Sequence, residues 1–185
     1  MKDSLLHFSN FVKNPKEVGA VIPSSKFLTN KIISGIDFKK SKTIVELGPG
    51  LGTFTKVILK KAKPDAMLLC FEVSRKFCAY LTKNLIDERL TVINASAEKL
   101  SSNLKKANLK EVDCIVSGLP FLNFSDSKKR KILNEAKNSL SSEGRFILFQ
   151  YTNDLGEMLE SHFSKVKRGF VPLNMPPSFV YICEK

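Results

Sequence analysis

Thr43-Ile-Val-Glu-Leu-Gly-Pro-Gly-Leu-Gly-Thr-Phe-Thr55 decides the fold. A short apolar, β-branched run leads to Glu46. Gly48, Gly50 and Gly52 follow at alternate positions, and a helix-compatible segment starts at Thr53. Only a backbone without side chains turns that sharply and lets a ligand lie against it. A strand feeding a glycine turn and then a helix is how doubly wound α/β sheets receive nucleoside-bearing ligands. The spacing is Glu-x-Gly-x-Gly-x-Gly and not Gly-x-Gly-x-x-Gly, which points away from dinucleotides.

Outward from that stretch, strand and helix signals alternate, the pattern of a mostly parallel sheet with crossover helices. Strands are expected at 43–47, 67–72, 90–93, 113–117, 145–151, 166–170 and 178–183. Helices are expected at 26–34, 53–61, 74–86, 126–140 and 154–161. Ser74 and Asp126 read as N-caps, and Ser141-Ser-Glu-Gly144 reads as a helix stop before a strand. The last two strands are separated only by a loop holding Pro172, Pro176 and Pro177. So short a return predicts an antiparallel hairpin at the sheet edge. Residues 1–40 form an N-terminal helical extension and 41–185 a single compact unit.

Bulk properties narrow the partners. At 185 residues, 43% hydrophobic and 26% charged, the chain fits one soluble domain. No apolar run reaches the roughly 20 residues of a bilayer span, and Met1-Lys-Asp-Ser-Leu-Leu-His7 carries no signal-peptide core. A cytoplasmic protein is expected. Cys70, Cys78, Cys114 and Cys183 make no Cys-x-x-Cys pair, and His7 and His162 stand alone. Free thiols and no metal site follow. Thirty Lys and Arg against eighteen Asp and Glu give a net charge of +12. That excess implies an anionic partner, a nucleic acid or a membrane surface, or else a plain lysine-rich surface.

The acid–glycine loop and the strand pattern resemble the class I methyltransferases that use S-adenosyl-L-methionine (SAM). The resemblance implies a Rossmann-like α/β fold, a seven-stranded, mostly parallel sheet with one antiparallel edge strand and flanking helices. It also implies residue roles. Glu46 organises the glycine loop and accepts a hydrogen bond from the cofactor's amino-acid end. Gly48, Gly50 and Gly52 give backbone access. Glu72, twenty residues after Gly52, accepts the ribose hydroxyls; the alternative is an exposed strand-end charge. Val73 and Ser117 count with the cofactor contacts. Ser96 stands where related enzymes carry an acid for the adenine amino group, and Ala97 offers its backbone N–H. Glu98 reads as a solvated helix start.

The acceptor side follows Cys114-Ile-Val-Ser-Gly-Leu-Pro-Phe-Leu-Asn-Phe124. Amino-methylating enzymes of this fold carry a proline–aromatic turn here; the adenine-N6 branch has Asn where this chain has Ser117. A closer likeness is to the small bacterial phospholipid N-methyltransferases, which methylate phosphatidylethanolamine. It runs nearly end to end through Phe11-Val-Lys-Asn-Pro-Lys-Glu-Val-Gly-Ala-Val-Ile-Pro-Ser-Ser25, Val116-Ser-Gly-Leu-Pro-Phe121, Phe149-Gln-Tyr-Thr152 and Asn174-Met-Pro-Pro-Ser178. Ribosomal RNA adenine dimethylases share the cofactor core more loosely. They usually add a C-terminal helical domain for RNA, and this chain ends at Lys185.

The resemblance implies methyl transfer to a headgroup amine, with RNA adenine as the alternative acceptor. Backbone carbonyls at Ser117 and Gly118 orient the amine. Phe121 and Tyr151 hold the methylated cation, or Tyr151 relays the proton. The competing readings are core packing for Phe121 and Phe124 and a plain strand-end place for Tyr151. Ser24, Ser25 and Asn174 bind phosphate or line the pocket; for the two serines the competing reading is a helix cap. Lys128-Lys-Arg-Lys131 is a basic cluster, solvated or bound to phosphate. In the extension, Leu5, Phe8 and Val12 form one helical stripe flanked by Lys2, Lys13 and Lys16. That stripe caps the cofactor site or lies on a membrane, which would place the enzyme on the membrane's inner face.

Overall fold

The computed structural model describes residues 25–185. The expected amphipathic stripe at Leu5, Phe8 and Val12, and Ser24, lie outside them. Six helices and seven strands follow in order: α1 (Lys26–Ile33), β1 (Thr43–Leu47), α2 (Thr53–Lys61), β2 (Met67–Phe71), α3 (Arg75–Asn84), β3 (Leu90–Ile93), α4 (Leu100–Lys106), β4 (Val112–Ser117), α5 (Asp126–Ser139), β5 (Leu140–Gln150), α6 (Gly156–His162), β6 (Lys165–Val171) and β7 (Ser178–Glu184). Single 3-10 turns at Ala97–Lys99 and Phe121–Asn123 precede α4 and α5.

The strands form one sheet in the order β3-β2-β1-β4-β5-β7-β6. β1 to β5 are parallel, and β7 is antiparallel to both neighbours. β7 is thus the antiparallel strand, and it lies one place inside β6, which forms the edge. Because β7 reverses twice, β6 points the same way as β1–β5. Every strand except β7 therefore delivers its carboxyl end to one rim, where the β6–β7 loop also turns. β1, β2, β4 and the Phe146–Phe149 part of β5 are mainly apolar on both faces, as a parallel sheet covered by helices requires, whereas the edge strand β6 carries Lys165, Lys167 and Arg168. Ile44, Val116 and Ile147 pack with Leu28, Ile32 and Ile58 of α1 and α2 on one side. Val45, Ile115 and Phe146 pack with Leu104, Ile132 and Leu133 of α4 and α5 on the other. Helix α1, though part of the N-terminal 1–40, therefore packs directly on the sheet.

Several details differ from expectation. Helix α4 was not expected, because Leu100-Ser-Ser-Asn-Leu-Lys-Lys is short and rich in weak helix formers. Buried Leu100 and Leu104, one turn apart, hold it to the sheet. The cap of α5 is Ser125, whose hydroxyl accepts from the Lys128 N–H, and Asp126 is its first residue. α3 ends at Asn84, not at residue 86. β5 begins at Leu140 and not at Arg145: Leu140 pairs with Val112 and Arg145 with Cys114, so Ser141–Gly144 are taken up in a register irregularity.

Candidate active site

The strand-end rim gathers most of the expected residues. Leu47 at the end of β1 pairs with Phe71 of β2 and Ser117 of β4, so the glycine loop emerges between those two ends. Gly48, Gly50 and Gly52 all have positive φ, at 71°, 54° and 76°. A side chain in that region is disfavoured by about 1–2 kcal/mol per residue. The loop is also crowded. A Cβ on Gly48 would stand 2.9 Å from Leu119, and one on Gly118 2.9 Å from the Gly48 carbonyl oxygen. Gly118 donates its N–H to the Leu47 carbonyl at 2.9 Å. The glycine loop and the Ser117–Phe121 turn are thus in backbone contact, which needs glycine on both sides.

Glu46 is fully buried. Its Oε2 accepts the Thr55 hydroxyl at 2.7 Å and a weaker contact from the Cys70 thiol at 3.6 Å. Its Oε1 is the one buried side-chain oxygen or nitrogen among the described residues without a hydrogen-bond partner. Burial pushes the Glu46 carboxyl up to about 7, against the downward pull of the Thr55 hydrogen bond. The Cys70 thiol is pushed up by burial and by the neighbouring Glu46. Native structures rarely leave such an acceptor unmatched. An orphaned carboxylate oxygen beside a glycine cradle fits a ligand that brings its own cationic donor, as the expected cofactor does with its ammonium.

Glu72 braces the same loop. Its Oε2 accepts the Gly50 N–H at 3.2 Å and its Oε1 the Ser74 N–H at 2.9 Å. Burial raises its pKa, and these backbone donors oppose the rise. Each carboxylate oxygen keeps a further lone pair, so ribose hydroxyls can still be accepted. Asn94 was missed in the sequence. Its amide donates to the carbonyls of Glu72 at 2.9 Å and Val73 at 3.0 Å, tying the ends of β2 and β3 together. A cavity of about 420 Å³ opens there, with Val73, Asn94 and Ser96 on its wall. The Ser96 hydroxyl accepts the Glu98 N–H and donates to the Glu98 carboxylate at 3.2 Å. Ala97 is buried beside it. Glu98 is not simply solvated: Lys131 and Lys128 pair with it at 3.5 and 4.0 Å.

On the acceptor side the expected residues are used differently. Ser117 is buried, and its hydroxyl accepts the Leu119 N–H at 3.3 Å, shaping the turn. Gln150, also missed, donates to the Leu119 carbonyl at 3.1 Å and fixes the turn against β5. Phe121 is 1% exposed and packs edge-on against Phe124 at 5.9 Å, in the core beneath the turn. Tyr151 follows β5, half-buried, its ring edge-on to Phe149 at 5.8 Å. Burial raises its phenol pKa. Ser25 caps α1 by accepting the Leu28 N–H, and its own N–H donates to Asn174 Oδ1 at 3.0 Å. The Asn174 amide donates to the Pro176 carbonyl at 2.7 Å and the Ser178 hydroxyl at 3.0 Å. Asn174 therefore locks the β6–β7 loop to the start of α1. Among the described residues no cluster of His, Cys, Asp and Glu is placed to hold a metal ion.

Comparison with known proteins places the chain. The sequence model of the ribosomal RNA adenine dimethylase family matches residues 12–166. Ornithine lipid N-methyltransferase of Singulisphaera acidiphila is 28% identical over 99% of this chain and 96% of its own length. Ribosomal RNA small subunit methyltransferase A of Hydrogenobaculum is also 28% identical, over 80% of this chain and 53% of its own, so the chain spans about half of that relative. Among solved structures, the precorrin-6y C5,15-methyltransferase of Geobacter metallireducens superposes with a TM-score of 0.70 at 16% identity. That match covers 91% of this chain and 93% of the other.

Proposed function

The chain belongs to the ribosomal RNA adenine dimethylase family and is a SAM-dependent methyltransferase of Rossmann-like fold, and from that premise we propose that it methylates the amine of a lipid headgroup at a membrane surface. The observation that carries the reading is the end-to-end likeness to an ornithine lipid N-methyltransferase, set against half-length likeness to the RNA enzymes. A phosphatidylethanolamine-type primary amine is the acceptor we favour, on the Ser117-Gly-Leu-Pro-Phe121 turn and the Asn174-Met-Pro-Pro-Ser178 loop.

The cofactor supplies an electrophilic methyl group. The chain's share of the chemistry is alignment, because methyl transfer to an amine needs little covalent help once the partners are in near-attack geometry. On the cofactor side, Glu46 Oε1 would accept from the ammonium, the glycine loop would give backbone access, and Glu72 would accept from the ribose hydroxyls. On the acceptor side, carbonyls of the Ser117–Gly118 turn accept N–H bonds from the amine and point its lone pair towards the cofactor. Tyr151, with its pKa raised, stays a neutral phenol at physiological pH. It is suited to hold a cationic headgroup by its ring or its oxygen, and not to act as a base. The headgroup ammonium releases its proton to solvent before attack. The charge of +12 supplies attraction to anionic lipid, at about 1 kcal/mol for each well-placed cation.

RNA is the second reading, supported by the family match itself. The test is methyl transfer from labelled SAM to vesicles of phosphatidylethanolamine or ornithine lipid, with unmodified ribosomal RNA in a parallel reaction. Label in the lipid extract is expected. Label confined to RNA overturns the reading.

A further inference from the structure

We propose that the strand-end rim is itself the bilayer-docking face, with Phe27, Leu173 and Met175 inserted among acyl chains and the cations around them holding anionic headgroups. This deepens the lipid reading above and rests on it.

Three observations converge. The first is where exposed apolar side chains lie. Phe27, Val73, Leu122, Phe170, Leu173 and Met175 are exposed at or beside the rim that carries the glycine loop. Only Met67 and Ile86, at the opposite end of the sheet, are comparably exposed among the described residues. Single exposed apolar residues are ordinary; a concentration on one rim marks an interaction site.

The second is that part of this set is held together by design of the loop. The Ser25 N–H to Asn174 Oδ1 bond joins the start of α1 to the β6–β7 loop. Phe27, Leu173 and Met175, 57%, 63% and 81% exposed, thereby project from two segments that are tied together. Asn174 spends its Oδ1 on that tie and its amide N–H groups on the Pro176 carbonyl and Ser178 hydroxyl, inside a loop whose apolar neighbours stay in solvent.

The third is charge. Lys26 opens α1 and Arg75 and Lys76 open α3; α5 adds the Lys128-Lys-Arg-Lys131 run, in which Lys128 and Lys131 pair with Glu98 and Lys129 with Asp126. All three helices start at this rim. Cations in a first turn oppose the helix macrodipole, and α1 and α3 carry no acid there to offset them. A charge kept where it weakens its own helix fits an anionic surface outside the chain. Apolar tips ringed by Lys and Arg are the composition of an interfacial membrane contact. A single-stranded nucleic acid would instead favour aromatic platforms; of the six exposed rim residues only Phe27 and Phe170 are aromatic, and Leu173 and Met175, the tips beside Phe27, offer no stacking face. The same face holds the cofactor loop and the acceptor turn, so a headgroup would reach the site without leaving the bilayer.

The chain contains no tryptophan, which makes single-tryptophan reporters clean. Met175→Trp and Leu173→Trp are mixed with vesicles of phosphatidylglycerol and brominated-acyl phosphatidylcholine, with Ile86→Trp as the control at the far end. These vesicles hold no acceptor amine, so docking is read separately from methylation. Expected are a blue shift and quenching at positions 173 and 175, several-fold greater than at position 86. In the triple variant Phe27→Ser, Leu173→Ser, Met175→Ser, vesicle co-sedimentation is expected to fall about tenfold with cofactor affinity unchanged. Three results overturn the proposal: vesicle binding without preferential quenching at 173 and 175; emission already blue-shifted without vesicles and unmoved by them, meaning another part of the chain covers the rim; or stronger spectral change with RNA than with vesicles. Quenching without any lipid methylation would leave docking standing and remove the acceptor reading; methylation without quenching would do the reverse.

Discussion

The two halves of the strand-end rim are built on different principles. From β3 to β1 the polar groups form a net around a gap: Glu72 holds the glycine loop, Asn94 holds Glu72's strand end, and Glu46 keeps one oxygen unmatched. From β4 to β6 the polar groups close on one another: Ser117 caps its own turn, Gln150 fixes it, and Asn174 ties the last loop to α1. The first half leaves acceptors for a ligand. The second spends its side chains on shape and leaves backbone, Tyr151 and apolar tips open. In the function proposed above, the cofactor would thus be met by fixed side-chain partners and the acceptor by a surface.

The largest expected effect concerns Glu46. Its folded pKa, about 7, lies above the ordinary 4.5. Between pH 4.5 and about 7 the folded cofactor-free protein therefore keeps a proton that the unfolded chain has released. The stability from the neutral carboxyl is full below pH 4.5 and is lost as pH rises to about 7. At about 1.4 kcal/mol per unit, the loss is about 3 kcal/mol. Denaturant midpoints across that range should fall in the wild type and stay flatter in Glu46→Gln. Equal slopes in both would remove the buried-acid account.

Next is Glu72→Ala, which removes the brace on Gly50 and the proposed ribose acceptor together. Charge-assisted hydrogen bonds are worth about 1.5–3 kcal/mol each, so cofactor affinity by calorimetry should drop about 100-fold. An unchanged affinity would break the cofactor half of the comparison. Asn174→Ala should then cost about 2 kcal/mol of stability through three hydrogen bonds, one buried and two part-buried, with the acceptor KM unchanged. A raised KM at unchanged stability would instead make Asn174 a substrate contact and blur the division. Phe121→Leu should cost about 1 kcal/mol as a core substitution, with the same split between stability and KM. Least of all is Ser96→Ala: its hydroxyl is already taken by Glu98, so cofactor affinity should change by no more than about twofold.

The same division explains what was legible in the sequence. The glycine loop, Glu46 and Glu72 stand out because their roles rest on backbone conformation and a fixed spacing, and positive φ at three alternate residues admits few other readings. The mostly parallel α/β class followed from βα alternation and the terminal antiparallel hairpin from the short proline loop, whereas the order of the strands in the sheet has no signal in the sequence. Helix α4 escaped because only Leu100 and Leu104 carry it, and the start of β5 escaped because Ser141–Gly144 carries stop signals in an extended segment. Asn94 stands in no motif, and Thr55 and Gln150 stand in motif stretches that assign them no role; the value of all three comes from partners 22, 9 and 31 residues away. Phe121 reads as an acceptor aromatic by motif, but its place in the core depends on Phe124 and the packing under the turn.

The most direct test of the central claim is one competition reaction. Phosphatidylethanolamine and ornithine lipid in anionic vesicles, unmodified ribosomal RNA, SAM and the enzyme share a tube, and mass spectrometry reads both the lipid extract and the RNA nucleosides. Methyl groups on a headgroup nitrogen with unmodified adenines are the predicted result. N6-methylated adenine with unmodified lipid would contradict the account and make the basic rim an RNA surface.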